Sequence, residues 1–357
     1  MSSPVRVDFK KIYYQRRIAE NETWKQNAQA ILERFPNAEV IEVDQHWRIP
    51  ELAEADPSQW IRTKNDVLVL GVKTTLSHQK NGRSADYIAA SVSNGCLSSC
   101  QYCYVARRKG GSNPLSLYVN IEQIADAIEK HSVRLGAKLV PNQTDPSLWT
   151  YDIGCNADLS LDAMVCDHPQ YLIQRFSEMK YAKATFATKT VNEDAWLRVD
   201  PKGHTRIRYS IMPASIARYV DIRTSPIEDR MRSVNRLIDA GYEVHLNFSP
   251  IIMYGGDQWR KDWLETFDQL NDILSPKAKE QLACEAFFLS HSEAVHELNM
   301  QWNPKGEEFL WAPEIQAPKT NKEDVLVYNW SLRRDALGWF ENAVGKKLPY
   351  CPVRYSF

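Results

Sequence analysis

Apolar positions in this chain recur with two periods that alternate along most of its length. Between residues 21 and 35, Trp24, Ala28, Ile31, Leu32 and Phe35 fall on one helical face, with Asn21 placed to cap the first turn and Pro36 to end the last. Asp66 to Lys73 then reads as a strand. From Tyr87 onward, strand-like runs occupy Tyr87 to Val92, Trp149 to Gly154, Ala184 to Lys189, Arg206 to Ile211, Val244 to Pro250 and Cys284 to Leu289. Helical stripes separate most of them. Asn120 and Gln123 make a capping-box pattern ahead of Ile121, Ile124, Ala125 and Ile128, and Pro169 suits a first turn ahead of Leu172, Ile173, Phe176 and Met179. Ser225-Pro226-Ile227-Glu228 is a second capping box, followed by Met231, Val234, Leu237 and Ile238 and ended by Gly241. Trp259, Trp263, Phe267 and Leu270 form a further stripe before Pro276, whereas the crossover from Val191 to Asp200 is short.

Strands that alternate with helices in this way imply a parallel sheet with right-handed crossovers. Six such units are too few for a closed eight-stranded barrel. The pattern therefore predicts an α/β fold built on a partial (β/α)6 TIM-type barrel over residues 86–292. An N-terminal α/β extension over residues 1–85 and a C-terminal extension over 293–357 pack around it. Asn303 to Lys322 is the least regular stretch and is expected to join the barrel to a C-terminal helix from Trp330 to Val344.

Composition changes the picture little. The 357 residues carry 44 Lys plus Arg against 45 Asp plus Glu, and at 43% hydrophobic and 25% charged they exclude a largely disordered or collagen-like chain. No apolar run is long enough for a secretory or membrane-spanning segment, so a cytoplasmic location with no membrane partner is expected. Seven cysteines are too sparse for a disulfide framework.

Three of those cysteines, however, fall at Cys96, Cys100 and Cys103, a C-x-x-x-C-x-x-C spacing on a loop after the first barrel strand. Three thiolates on one short loop can ligate three irons of a four-iron, four-sulfur cluster and leave the fourth iron open. The competing readings are a zinc site, for which the sequence places no fourth Cys or His nearby, and three core cysteines. Chemistry in (β/α) barrels gathers at the C-terminal ends of the strands. Cys155 follows the second strand, Lys189 ends the third, and Ser210 and Ser249 lie near the ends of the fourth and fifth. Each has a bland alternative: a buried thiol, a solvated lysine, two ordinary strand-end serines. Together they line one mouth. Cys166, Cys284 and Cys351 lie elsewhere and read as structural.

The cysteine spacing resembles that of the radical S-adenosylmethionine (SAM) superfamily, and the chain as a whole resembles the spore photoproduct lyase family. The likeness runs through Asp66 to Leu76, Gly95 to Tyr104, Tyr118-Val119-Asn120, Cys155 with Asp158, Thr188-Lys189, Arg206 to Ile211, Thr224-Ser225-Pro226, Ala240-Gly241-Tyr242 and Ser249-Pro250-Ile251, in the family's order. The resemblance implies a barrel of the radical SAM type, a 4Fe-4S cluster on Cys96, Cys100 and Cys103, and SAM positioned by Tyr104, Lys189, Ser210 and the Ser249 backbone. It further implies cleavage of a carbon–carbon bond in a UV-induced thymine lesion of DNA, with Cys155 as hydrogen-atom donor and Tyr102 and Tyr104 returning the radical to 5'-deoxyadenosine. Implied partners are lesion-bearing DNA and an electron donor such as flavodoxin or ferredoxin.

Two departures set this chain apart. Asn156-Ala157 stands where the family has Thr-Ser, and the stretch from Leu310 to Asp324, which corresponds to a basic DNA-engaging hairpin, holds two lysines against three acids. Other basic positions are Arg107, Arg108 and Lys109, Arg206 with Arg208, and Arg333 with Arg334, each more often a solvated face than a binding site. The weakened hairpin motivates two alternatives: radical SAM chemistry on a different nucleobase lesion or small molecule, and a non-catalytic iron–sulfur redox sensor.

Overall fold

The computed structural model describes residues 7–53, 56–103, 105, 114–320 and 322–357. Strands are numbered β1 to β16 along the chain. The largest sheet has eight strands in the order β16-β12-β11-β10-β9-β8-β5-β4. Six of them carry the barrel: β5 (Tyr87–Ile88), β8 (Trp149–Asp152), β9 (Ala182–Thr188), β10 (Thr205–Ile211), β11 (Glu243–Ile251) and β12 (Cys284–Phe288). Their pairings are all parallel, in sequence order. β16 (Val353–Ser356) adds in parallel beyond β12, and β4 (Gln79–Lys80) pairs antiparallel with β5.

Strands in such a sheet usually read as continuous apolar runs because both faces are buried in hydrophobic layers. Here they alternate. In β10 the residues Ile207, Tyr209 and Ile211 join the apolar core with Val244, Leu246 and Phe248 of β11, and the helices Ile227–Asp239 and Gln258–Ile273 supply Met231, Val234, Trp263 and Phe267 to it. The opposite faces carry Arg206, Arg208 and Ser210 on β10 and Glu243, His245, Asn247 and Ser249 on β11, as the two-residue strand period requires. The charged members pair with one another. Arg206 meets Glu243 at 2.7 Å, Arg208 meets Asp152 at 2.7 Å, Lys183 bridges Asp145 and Glu243 at 2.7 Å each, and Arg354 meets Glu285 at 2.5 Å. Arg206 and Arg208 are therefore buried barrel residues and not part of a basic surface. Removing one partner of such a pair strands a buried charge, at about 3–5 kcal/mol.

A second sheet, in the order β2-β1-β3-β7-β6, lies against the barrel. Its strands are β1 (Lys11–Gln15), β2 (Glu39–Val43), β3 (Val67–Gly71), β6 (Ser93–Asn94) and β7 (Leu115–Tyr118). The Asp66 to Lys73 run thus forms β3, whereas the run from Tyr87 to Val92 stays in the barrel for only two residues before the chain crosses to this sheet as β6. β13 (Ser290–His291), β14 (Gln316–Lys319) and β15 (Lys322–Tyr328) form a small antiparallel sheet. The stretch expected to be irregular, Asn303 to Lys322, therefore holds the helix Pro304–Leu310 and the first strand of a β-hairpin.

Helix positions follow the sequence pattern, but two expected caps do not form. Asn21 does accept from the Trp24 amide. Asn120 instead spends its side chain on the Lys73 backbone, accepting at 2.8 Å and donating at 2.9 Å. Ser225 accepts from the Val191 amide at 2.9 Å, leaving the helix Ile227–Asp239 to start after Pro226 without a side-chain cap. In both cases an orphan backbone group elsewhere in the fold claims the capping side chain.

Candidate active site

The cysteine loop leaves β6 through Gly95, whose φ of +88° is the left-handed conformation that glycine adopts without a Cβ penalty. From there three hydrogen bonds tie the loop to residues 220–223 of the barrel: Ser99 N to Ile222 O at 2.9 Å, Gln101 N to Val220 O at 3.0 Å, and Ser98 Oγ to Arg223 O at 3.0 Å. Below it the buried Lys64 ammonium donates to Ser98 O at 2.7 Å.

A cavity of about 550 Å³ opens at the C-terminal ends of the barrel strands, within the range of ligand pockets. Cys96, Cys100, Cys103, Tyr102, Cys155, Lys189, Ser210 and Ser249 all line it, so the residues singled out from sequence come together in one place. Tyr104 lies outside the described residues, as do Arg107, Arg108 and Lys109. Cys155 is half-buried, beside Asn156, Ala157 and Asp158 on the same wall. Cys166, Cys284 and Cys351 are buried away from the cavity lining, as expected of packing cysteines.

Four residues not identified from sequence hold this arrangement. The Tyr102 hydroxyl donates to Asp221, Asp221 pairs with Arg230 at 3.0 Å, and Arg230 donates to the Ser210 carbonyl at 2.8 Å. One buried ion pair thus ties a tyrosine of the cysteine loop to the end of β10. The signal for Arg230 was present: it occupies an apolar-stripe position, three residues after Ile227 and four before Val234. The third is Lys64. The fourth, Asn247, lines the cavity with a buried Oδ1 that has no hydrogen-bond partner among the described residues.

Asp158, already noted beside Cys155, organises the opposite wall. It accepts from the Lys189 amide at 2.9 Å, from Thr188 Oγ1 at 2.7 Å and from Ser160 N at 3.0 Å. Burial still raises its pKa, against the pull of those donors. Burial lowers that of the Lys189 ammonium, which sits 5.5 Å over the Tyr102 ring, while the nearby Cys100 thiol opposes the shift. Burial pushes the Cys96 thiol up to about 12, with Asp158 adding and Lys64 opposing. A free thiol there stays protonated; metal coordination supplies the energy that removes the proton.

The donor set fits an iron–sulfur cluster: three sulfurs from one anchored loop face one cavity, with a buried cation beside them to offset thiolate charge. The same cavity leaves a lysine, strand-end backbone and the unpaired Asn247 oxygen for a polar ligand such as SAM, since a buried orphan acceptor calls for a partner. At the rim the two hairpin lysines, Lys319 and Lys322, line the cavity together with Arg83. Burial lowers the Lys319 pKa, and the charges of Lys322, Arg333 and Arg83 lower it further. The basic rim is therefore assembled from three separate segments, a clustering that no single stretch of sequence displays.

The family model for spore photoproduct lyase matches residues 12–307. The spore photoproduct lyase of Bacillus subtilis (strain 168) is 25% identical over 263 residues, covering 72% of each chain. That of Clostridium acetobutylicum is 26% identical over 255 residues, covering 70% of this chain and 71% of the relative. Among solved structures, a spore photoproduct lyase double mutant with bound AdoMet and dinucleoside spore photoproduct shares the fold at a TM-score of 0.86 and 19% identity. The match covers 98% of this chain and 99% of that one. A spore photoproduct lyase complexed with dinucleoside spore photoproduct gives 0.85 at 20% identity, with the same coverage. With the family match running from the first strand through the cysteine loop and the whole barrel, this chain belongs to the spore photoproduct lyase family and is a radical SAM lyase.

Proposed function

We propose that the chain repairs spore photoproduct, the methylene-bridged thymine dimer of DNA, with Cys155 supplying the hydrogen atom that completes the product. The observation that carries this reading is the convergence of Cys155, the three-cysteine loop, Lys189, Ser210 and Ser249 from separate strands on one cavity. When bound, a 4Fe-4S cluster on Cys96, Cys100 and Cys103 together with SAM supplies a 5'-deoxyadenosyl radical able to take a hydrogen atom from C6 of the lesion. The remaining work falls to the protein's own residues.

Lys189, Ser210 and the Ser249 backbone hold the cofactor end of the cavity. The lesion, extruded from the duplex at a cost of a few kcal/mol, is drawn to the rim by Arg83, Lys319, Lys322 and Arg333, whose charges meet flanking phosphates. After the methylene bridge breaks, Cys155 transfers its S–H hydrogen atom to the thymine-derived radical and becomes a thiyl. Tyr102 then reduces the thiyl: its electron goes to sulfur, Asp221, already accepting the hydroxyl hydrogen bond, takes the tyrosine's proton, and the resulting thiolate takes a proton from solvent to restore the thiol. Burial raises the Asp221 pKa, which suits a carboxylate in this role. Tyr104 completes the return path. An oxygen-sensitive cluster with free thiols fits the reducing cytoplasm, and a low-potential donor such as flavodoxin or ferredoxin supplies the electron.

Anaerobic incubation of the reduced, cluster-loaded protein with SAM and DNA bearing the lesion should convert the lesion to two thymines. An intact lesion with 5'-deoxyadenosine accumulating would assign the radical chemistry to another substrate.

A further inference from the structure

A second cluster of donor atoms lies outside the cavity, where the C-terminal extension folds back on the cysteine loop. His291 comes from β13, His296 from the helix Glu293–Trp302, and Glu307 from the first turn of the helix Pro304–Leu310. His291 Nε2 lies 2.9 Å and His296 Nδ1 2.7 Å from the same oxygen, Glu307 Oε2. The three donor atoms all fall within 4.8 Å of one another. His291 and Glu307 are 2% and 3% exposed, so the carboxylate is out of solvent. Among the described residues, its ion-pair partners are these two imidazoles; neither a lysine nor an arginine reaches it.

Two neutral imidazoles would leave that buried carboxylate without a counter-charge, which is costly. His291 Nδ1 has no hydrogen-bond partner among the described residues, so the ring is oriented by what its Nε2 meets. We infer that His291, His296 and Glu307 form a structural site for a divalent cation of the zinc class, with water as fourth ligand. The geometry is close to what such an ion needs. Zinc–nitrogen and zinc–oxygen distances of about 2.0–2.2 Å place tetrahedral ligands about 3.3–3.5 Å apart, so the two short contacts open by about 0.4–0.8 Å. Two imidazoles with one carboxylate are a donor set that zinc accepts. His296, with 22% of its side chain exposed and its ring stacked 4.2 Å from that of Trp311, is the side from which water enters.

The site would clamp the cysteine loop. Asn299 donates both to Glu307 Oε1 at 2.5 Å and to the Gln101 carbonyl at 2.9 Å, and Gln101 lies between Cys100 and Cys103. Gln101 in turn donates to Asn303 O at 2.7 Å. The approach is close enough that a Cβ on Gly306 would fall 1.5 Å from Gln101 Oε1. An ion at the junction of these elements therefore fixes the backing on which the loop rests.

The test is metal analysis of the full-length, cluster-reconstituted protein after titration with zinc and gel filtration, beside His296→Ala, Glu307→Gln and the Cys96→Ala/Cys100→Ala/Cys103→Ala variant. One zinc per chain is expected in the wild type and in the cysteine variant, and none in His296→Ala, whose partly exposed position allows folding even if Glu307→Gln does not. Zinc should raise the melting temperature of the wild type and leave that of His296→Ala unchanged, and cobalt at the site should show d–d bands without thiolate charge transfer. Absence of zinc from the wild type, its retention in His296→Ala, or its loss with the cysteines would overturn the assignment.

Discussion

Cys155 faces the cavity as one thiol among four, and its position decides its part: it follows β8 and is not on the loop that carries Cys96, Cys100 and Cys103. Replacing it with alanine should leave SAM cleavage and iron content at wild-type levels while repair yield drops on the order of tenfold or more, the loss expected when a directly reacting group is removed. Chromatography of the reaction products checks this, and undiminished repair would remove Cys155 from the path. Lys64 acts on the same chemistry from below. Lys64→Met keeps the length of the side chain but strands the Ser98 carbonyl, at about 1–3 kcal/mol, and takes a positive charge from beside the thiolates. The cluster midpoint potential should become more negative, because hydrogen bonding and charge around the sulfurs set it. Potentiometric titration followed by electron paramagnetic resonance reads the shift, and an unchanged potential would leave Lys64 a purely structural role. The cysteines were legible in the sequence because their ligand spacing is local. Lys64 was not: its partner, Ser98, is 34 residues away and belongs to another element.

At the level of elements, the segment after β8 controls how firmly the loop is seated. Asp162 accepts a hydrogen bond from Ser93 on β6, and burial raises its pKa to about 8, with Asp158 adding to the shift and Ser93 opposing it. The folded chain therefore holds a proton that the unfolded chain releases near the ordinary value of 3.8. Between those limits the native state binds more protons, so stability falls as pH rises, by up to about 1.4 kcal/mol per pH unit, and levels off above the folded value. Asp162→Asn should flatten that slope in urea unfolding measured from pH 5 to 8; an identical slope in the variant would show that other groups set it. The hairpin answers to electrostatics in the same direct way. Lys319→Ala/Lys322→Ala should weaken duplex binding and reduce the salt slope of the affinity by about 0.9 for each phosphate left without its lysine, as fluorescence anisotropy at several salt concentrations would show. The six barrel strands, β3 and the long helices between them could be placed from periodicity, because alternation and apolar stripes are local properties. The hairpin could not: Pro313 and Pro318 masked it, and its pairing partner β13 lies far along the chain. The missed caps share a cause, since Asn120 and Ser225 bond to segments that only tertiary structure brings near.

For the whole molecule, the barrel's interior divides into two layers along each strand. Arg206 and Glu243 pair with each other toward the N-terminal end, and at the other end Arg208, paired with Asp152, lines the cavity with Ser210, Asn247 and Ser249. The partial barrel and its mouth were legible because strand ends carry the polar residues in order. The basic rim was not, since Arg83, Lys319, Lys322 and Arg333 meet only in space. The most direct test of the central claim uses the cluster-loaded, reduced protein with SAM and dinucleoside spore photoproduct in deuterated water. A thiol proton exchanges with solvent, so a hydrogen atom delivered by Cys155 carries the label. Mass spectrometry should find the repaired dinucleoside with one deuterium in a thymine methyl group. Failure to form the repaired product would contradict the lyase assignment, and repair without deuterium would contradict delivery through Cys155.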